Sequence, residues 1–191
     1  MIPILHNTLE SGKVVRYHAV PTVRPQNVAH HSWNVAMLLI YISDNLCSRE
    51  LLVEALMHDT GEIITGDIPY TVKRDNPELK RTLHELELIA RADHTILPAT
   101  QLIEADEAIL KVCDTLDGFI WCALHEEKRG PVNDRWHQAY LNARAKFRDL
   151  LTRRQWEQAD TLFIRYGGIL TDTEGEPFEY EATKAGVPFN P

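Results

Sequence analysis

The chain has 191 residues, 44% of them hydrophobic and 25% charged, with a net charge of -8 at pH 7. That length suits one domain whose core is large enough to stand without disulfide or metal staples. The acidic balance excludes a general nucleic-acid surface or an anionic membrane as partner, but leaves room for a small phosphorylated molecule held by a few local cations.

In chain order, residues 1 to 15 hold a short apolar-polar stretch closed by Ser11-Gly12, enough for one brief helix. Pro21 and Pro25 make residues 16 to 28 an ordered loop. From Gln26 to Leu46 the pattern turns helical, with His31, Val35, Leu38, Leu39, Ile42 and Leu46 on one broad face. Ser48 offers an N-cap to a second helix that carries Leu52, Ala55 and Leu56 into His58-Asp59. Gly66 and Pro69 punctuate a loop, and Asn76-Pro77 is a cap-then-proline start for a helix to about Asp93. A long helix spans roughly Thr100 to Glu127 and breaks at Arg129-Gly130-Pro131. Two more helices are expected near 133 to 150 and 152 to 166, the second capped by Thr152 and stopped by Gly167-Gly168. No segment alternates convincingly as a strand.

The reading is all-α, one domain over residues 1–191 with a motif-bearing core about 10–125, additional helices 131–166 and an extended tail 167–191. Cys47, Cys113 and Cys122 form no CxxC pair and sit in apolar contexts, as reduced thiols of a cytoplasmic protein do. The N-terminus lacks the basic segment and apolar core of a signal peptide, and the longest apolar run, Met37 to Ile42, is too short to cross a bilayer.

The chemistry centres on Leu56-Met57-His58-Asp59-Thr60-Gly61-Glu62. An imidazole and a carboxylate end an apolar run, and Glu62 follows one helical turn after His58 on the same side. Neutral imidazole and carboxylate suit divalent metal ions. His31 sits on the apolar face of the preceding helix, and Asp114 in the apolar stretch Ile109 to Leu116. Singly, each is explained by ordinary packing: His31 as a core histidine bonded to a carbonyl, Asp114 as half of a buried ion pair. Together they give the order His, His-Asp, Asp across three helices, which is a metal-binding order.

These residues resemble an HD-domain phosphohydrolase, in particular the small 5'-deoxynucleotidases and the phage-type deoxynucleoside (dATP) triphosphohydrolases. The resemblance runs through Arg16-Tyr17-His18, Gln26 to Ala36, His58 to Glu62, Thr65-Gly66-Asp67-Ile68-Pro69 and Lys111-Val112-Cys113-Asp114. It implies a single HD-domain helical bundle with a metal site between helices, where His31, His58, Asp59 and Asp114 bind one divalent ion. His30 competes with His31, but His31 precedes Ser32 as the family's ligand does. The ligand set is compatible with Co, Mn, Zn, Ni, Fe or Mg.

The resemblance also implies catalytic roles for Glu62 and Asp67, which handle the attacking water and the leaving oxygen, and a phosphate contact for Arg16. Tyr17 stands where the nucleotidase pattern has tryptophan; an aromatic ring there crowds the 2' position and favours deoxyribose. Lys73 and Arg74 lie near Asp67, either as a solvated face or as a clamp for further phosphates.

The expected activity is divalent-metal-dependent hydrolysis of 2'-deoxynucleotides by metal-hydroxide attack on phosphorus, with monophosphate and triphosphate substrates in balance. A regulatory nucleotide-binding protein with a vestigial metal site, or another HD-superfamily phosphodiesterase, are the alternatives. The substrate is a small deoxynucleotide, with no nucleic-acid polymer and no membrane. Trp33, Trp121, Trp136 and Trp156 and the long helix point to a homo-oligomer, a dimer or higher.

Overall fold

The computed structural model describes residues 2–18, 22–125 and 131–170. Along the chain run α1 (Ile2–Ser11), β1 (Val15–Arg16), β2 (Gln26–Asn27), α2 (Val28–Ile42), α3 (Arg49–Met57), α4 (Glu62–Thr65), α5 (Tyr70–Asp75), α6 (Pro77–His94), α7 (Glu104–His125), α8 (Pro131–Lys146) and α9 (Arg153–Arg165). The all-helical bundle expected from the sequence is present. Among the described residues no helix is long and apolar enough to cross a membrane.

The loop expected at 16 to 28 contains a small feature that periodicity did not reveal. β1 and β2 pair antiparallel, Val15 opposite Asn27 and Arg16 opposite Gln26. The ladder feeds straight into α2, because Val28 N–H donates to Val14 O and Ala29 N–H to Gly12 O, both at 3.0 Å. Asn27 then caps α2, its side chain accepting from His30 N–H at 2.9 Å. The helix thus starts two residues later than its sequence pattern suggests.

It also ends earlier, since Asp44 and Asn45 adopt left-handed φ values of 52° and 63° beyond the Ser43 cap. Short polar side chains tolerate that conformation. Leu46 consequently leaves the helix face and is exposed, while Val28, His31, Val35, Leu39 and Ile42 remain buried.

Helix α7 lies at the centre, packed against α2, α3, α8 and α9. Its inward residues Ile109, Val112, Cys113, Leu116 and Phe119 recur at helical steps and join Val35, Leu39, Leu51, Tyr140 and Phe163 in one core. Each such side chain stabilises the fold by about 1.5–3 kcal/mol when fully buried. Phe163 stacks on Tyr140 at 4.1 Å, and the Tyr140 hydroxyl donates to Asp160 at 2.9 Å, so the buried polar atom is satisfied.

Ser48 caps α3 through Leu51 N–H, and Thr152 with Gln155 closes a capping box on α9, both as expected. Asn76 does not cap α6: its amide donates to Val72 O instead, because the expected loop before it coils into α5. The break at 126–130 and the tail from 171 onward lie outside the described residues. Before them, Leu170 packs into the core and Ile169 N–H donates to His137 Nε2 at 3.0 Å.

A buried ion pair docks α6 on α3, with Arg91 forking onto Glu54 at 2.6 and 3.0 Å. Next to it, α4 presses on α6 through Gly61. A Cβ there would lie 2.3 Å from Glu87 O, so only glycine permits the approach.

Candidate metal centre

Three helices deliver the ligand-type side chains to one point. His31 comes from the start of α2, His58 caps the end of α3 with Asp59 after it, and Asp114 projects from α7. Among the described residues, His31, His58 and Asp114 offer ligand atoms all within 4.8 Å of one another. His31 Nε2 lies 3.2 Å from His58 Nε2, 3.2 Å from Asp114 Oδ1 and 3.4 Å from Asp59 Oδ2. His58 Nε2 lies 3.5 Å from Asp59 Oδ1. Donors about 2.0–2.2 Å from a tetrahedral zinc-type ion sit about 3.3–3.6 Å apart, close to these spacings.

The protons on the imidazoles point the same way. His58 Nδ1 faces the Ala55 carbonyl at 2.9 Å, an acceptor only, so it must carry the hydrogen. His31 Nδ1 faces Asp117 Oδ2 at 2.6 Å and donates to it. Both Nε2 atoms are therefore left to face each other and the carboxylates. Two imidazole nitrogens and two carboxylates gathered at such spacings form a donor set that fits a divalent cation. His30, the competing candidate, is exposed and meets the Trp121 ring edge-on at 4.9 Å.

Electrostatics sort the carboxyl groups. Burial works against ionising Asp59, but His58, Arg16 and His31 outweigh it and hold its carboxyl down at about 2. Burial likewise opposes ionisation of Asp114, and Lys111 and His31 hold it well below the usual range. Lys111 Nζ donates to Asp114 Oδ2 at 2.6 Å, leaving Oδ1 toward His31. Glu62 behaves oppositely: burial, then the charges of Asp59 and Asp67, push its carboxyl up to about 9 despite Arg16 and Lys73. Its Oε2 is buried without a hydrogen-bond partner.

Around this cluster stand the other expected residues. Arg16 is buried and donates to Asp59 Oδ2 at 2.5 Å. Tyr17 holds a left-handed φ of 59°, which costs a non-glycine residue about 1–3 kcal/mol. Its backbone N–H donates to Asp67 Oδ2 at 3.2 Å, so the strained residue ties the Arg16 strand to the second acid. Gly66, at φ 69° and ψ 168°, turns the chain between Glu62 and Asp67 in a conformation that glycine alone adopts readily. Lys73 is 3.7 Å from Glu87, whereas the exposed Arg74 forks onto Asp75 at 2.6 and 3.0 Å.

The residue-type pattern did not reveal Asp117. It is 2% exposed, lies one turn after Asp114 on α7 and receives His31 Nδ1, Gln26 Nε2 and Asn34 Nδ2. Its signal in the sequence is a carboxylate among Leu116, Gly118 and Phe119, where a helix face buries.

A family model described as 5'-deoxynucleotidase YfbR-like matches residues 9–162. The 5'-deoxynucleotidase of Erwinia tasmaniensis is 28% identical over 166 residues, covering 76% of this chain and 80% of its own. The 5'-deoxynucleotidase of Photorhabdus temperata is 27% identical over 173 residues, covering 78% of this chain and 84% of its own. Among solved structures, the cyanophage S-2L HD phosphohydrolase, bound to dA and one catalytic Zn2+ ion, aligns with a TM-score of 0.61 at 24% identity. That alignment covers 84% of this chain and 92% of the phage chain, a likeness of fold.

Proposed function

The chain belongs to the 5'-deoxynucleotidase YfbR-like family, and on that footing we propose that it is a divalent-metal-dependent phosphohydrolase that cleaves 2'-deoxynucleoside 5'-monophosphates to nucleoside and inorganic phosphate. The observation that carries this reading is the convergence of the His31 and His58 Nε2 atoms with the Asp59 and Asp114 carboxylates beside the buried carboxyl of Glu62. A regulatory binder has no use for that additional acid.

In this reading His31, His58, Asp59 and Asp114 hold the ion. When bound, it lowers the pKa of a water and neutralises charge on the phosphoryl oxygens. Arg16, fixed beside Asp59, directs a guanidinium fork at a phosphate oxygen. Glu62 lies buried beside Asp59, and Asp67 stands tied to Tyr17 N–H. Between them the two carboxyls take up the proton of the attacking water and return one to the leaving 5' oxygen. The Tyr17 ring crowds the 2' position of the sugar.

The monophosphate is favoured because Lys73 and Arg74, the candidate clamp for further phosphates, face Glu87 and Asp75. We also propose one HD-type domain over residues 1–191, a cytoplasmic setting in keeping with the free thiols of Cys47 and Cys113, and self-association. The last is supported by Trp33, Met37 and Tyr41, exposed at successive turns of α2 beside a groove of about 310 Å³. Sedimentation of the pure protein as a monomer would overturn it.

The activity is tested by incubating the purified protein with each deoxynucleoside mono- and triphosphate and the matching ribonucleotides, in Co2+, Mn2+ or Zn2+. Phosphate released from monophosphates, with ribonucleotides turned over at least about tenfold more slowly, is the expected result. Triphosphate released from a deoxynucleoside triphosphate would instead make it a triphosphohydrolase. No release from any substrate by the metal-loaded protein would leave a binding protein. Asp59→Ala should lose both metal and turnover; full activity in that variant would sink the proposal.

A further inference from the structure

The two-residue ladder links parts of the site that the reaction itself does not join. Residues facing each other across an antiparallel pair project to the same side. Arg16 and Gln26 are such a pair, and both are buried. Arg16 reaches Asp59. Gln26 Nε2 donates at 2.9 Å to Asp117 Oδ2, the same oxygen that accepts from His31 Nδ1 at 2.6 Å. The other oxygen of Asp117 accepts from Asn34 Nδ2 at 2.7 Å.

The two amides hold the carboxylate differently. Asn34 shares α2 with His31, so its bond is local to that helix. Gln26 sits on the ladder, so its bond ties α7 and His31 to the strand that presents Arg16. Burying a glutamine fully is costly unless its polar atoms are used, and the Gln26 Oε1 has no partner. What its amide nitrogen holds accounts for its place.

We propose that Gln26 is a positioning residue: by clamping Asp117 against His31 from the ladder that registers Arg16, it sets the first metal-binding imidazole and the phosphate-binding guanidinium together. The inference rests on the reading of this site as a metal-dependent phosphohydrolase. Gln26 touches neither the ion's ligand atoms nor the substrate; it acts through Asp117 and through the ladder.

Gln26→Met keeps the volume and removes the clamp. The dissociation constant of the metal-stripped variant for Co2+ or Zn2+, measured by competition with a chromogenic chelator, should rise roughly ten- to hundredfold. At saturating metal, its KM for a deoxynucleoside monophosphate should also rise. Asn34→Leu loosens the same carboxylate only within α2, so its KM change should fall short of that of Gln26→Met. Arg16→Ala combined with Gln26→Met should raise KM by less than the product of the single effects, as coupled residues do. A lowered melting temperature with metal affinity and KM unchanged would reduce Gln26 to packing and overturn the inference. If Gln26→Met does not fold, Gln26→Asn, one methylene short of Asp117, carries the same expectations. A wild-type protein that binds no divalent ion would overturn the site reading and this inference together. Wild type and variant binding equally tightly would overturn this inference alone.

Discussion

Glu62 shows how far a side chain's chemistry depends on its surroundings. In sequence it is one more acid in a helix start. In the fold it is 5% exposed, faces the negative charges of Asp59 and Asp67, and keeps its proton up to about 9. An acid whose folded pKa lies above its unfolded 4.5 is protonated in the fold while the unfolded chain has already released its proton. Stability of the metal-free protein therefore falls as pH rises from about 4.5 towards 9 through this group. Glutamine is nearly isosteric with the protonated acid and cannot ionise. Metal-stripped Glu62→Gln should thus melt above wild type at pH 8, and the difference should vanish near pH 4. Metal-loaded, it should retain its ion and lose about 10²–10⁴-fold in kcat. Equal melting temperatures at pH 8 would show that Glu62 is not held protonated.

At the scale of elements, the site joins the interior of α7, which carries Asp114 and Asp117, to helix ends and close approaches. His58 is a C-cap, Asp59 lies beyond α3, and Glu62 opens a single-turn helix pressed against α6. That approach depends on Gly61. A Cβ there would meet Glu87 O at 2.3 Å and Glu87 C at 2.8 Å, both backbone atoms, so α4 or α6 must move. Gly61→Ala should cost about 1–3 kcal/mol in a urea melt and carry Glu62 out of place, with a matching fall in kcat. A variant as stable and active as wild type would mean that α4 can shift freely.

Helices α2, α3, α7 and α9 were legible, because Ser48, Thr152 and the apolar steps of α2 and α7 are local signals, whereas the single turn of α4 was not. The ladder Arg16–Gln26 and the short α5 were not. Two residues have no period, and six barely make a turn and a half, so nothing local distinguishes them from loop.

For the molecule as a whole, the proposed metal ligands lie on α2, just past and at the end of α3, and on α7, so an ion held there would join three helices that otherwise meet through the core. Ligands bound only by the folded state stabilise it by mass action, about 2.7 kcal/mol at a hundredfold excess over Kd. For a chain of this size that is roughly 5–10 °C in melting temperature. Chelation should therefore lower Tm by that amount, and restoring Co2+ or Zn2+ should recover it; a Tm indifferent to metal would argue against a site shared by these helices.

The sequence by itself determined the helical class and the Ser48 and Thr152 caps, because apolar spacing and capping residues are local properties, and its ordered motifs, through the resemblance they carry, marked His31, His58, Asp59 and Asp114 as candidate ligands. Only the tertiary structure decided that these four side chains converge, which ring nitrogen of each imidazole faces an acceptor, that Glu62 is buried beside Asp59, and that Gln26 and His31 both bond to Asp117. Those features depend on distance and burial between segments as many as 91 residues apart, and no local pattern encodes them.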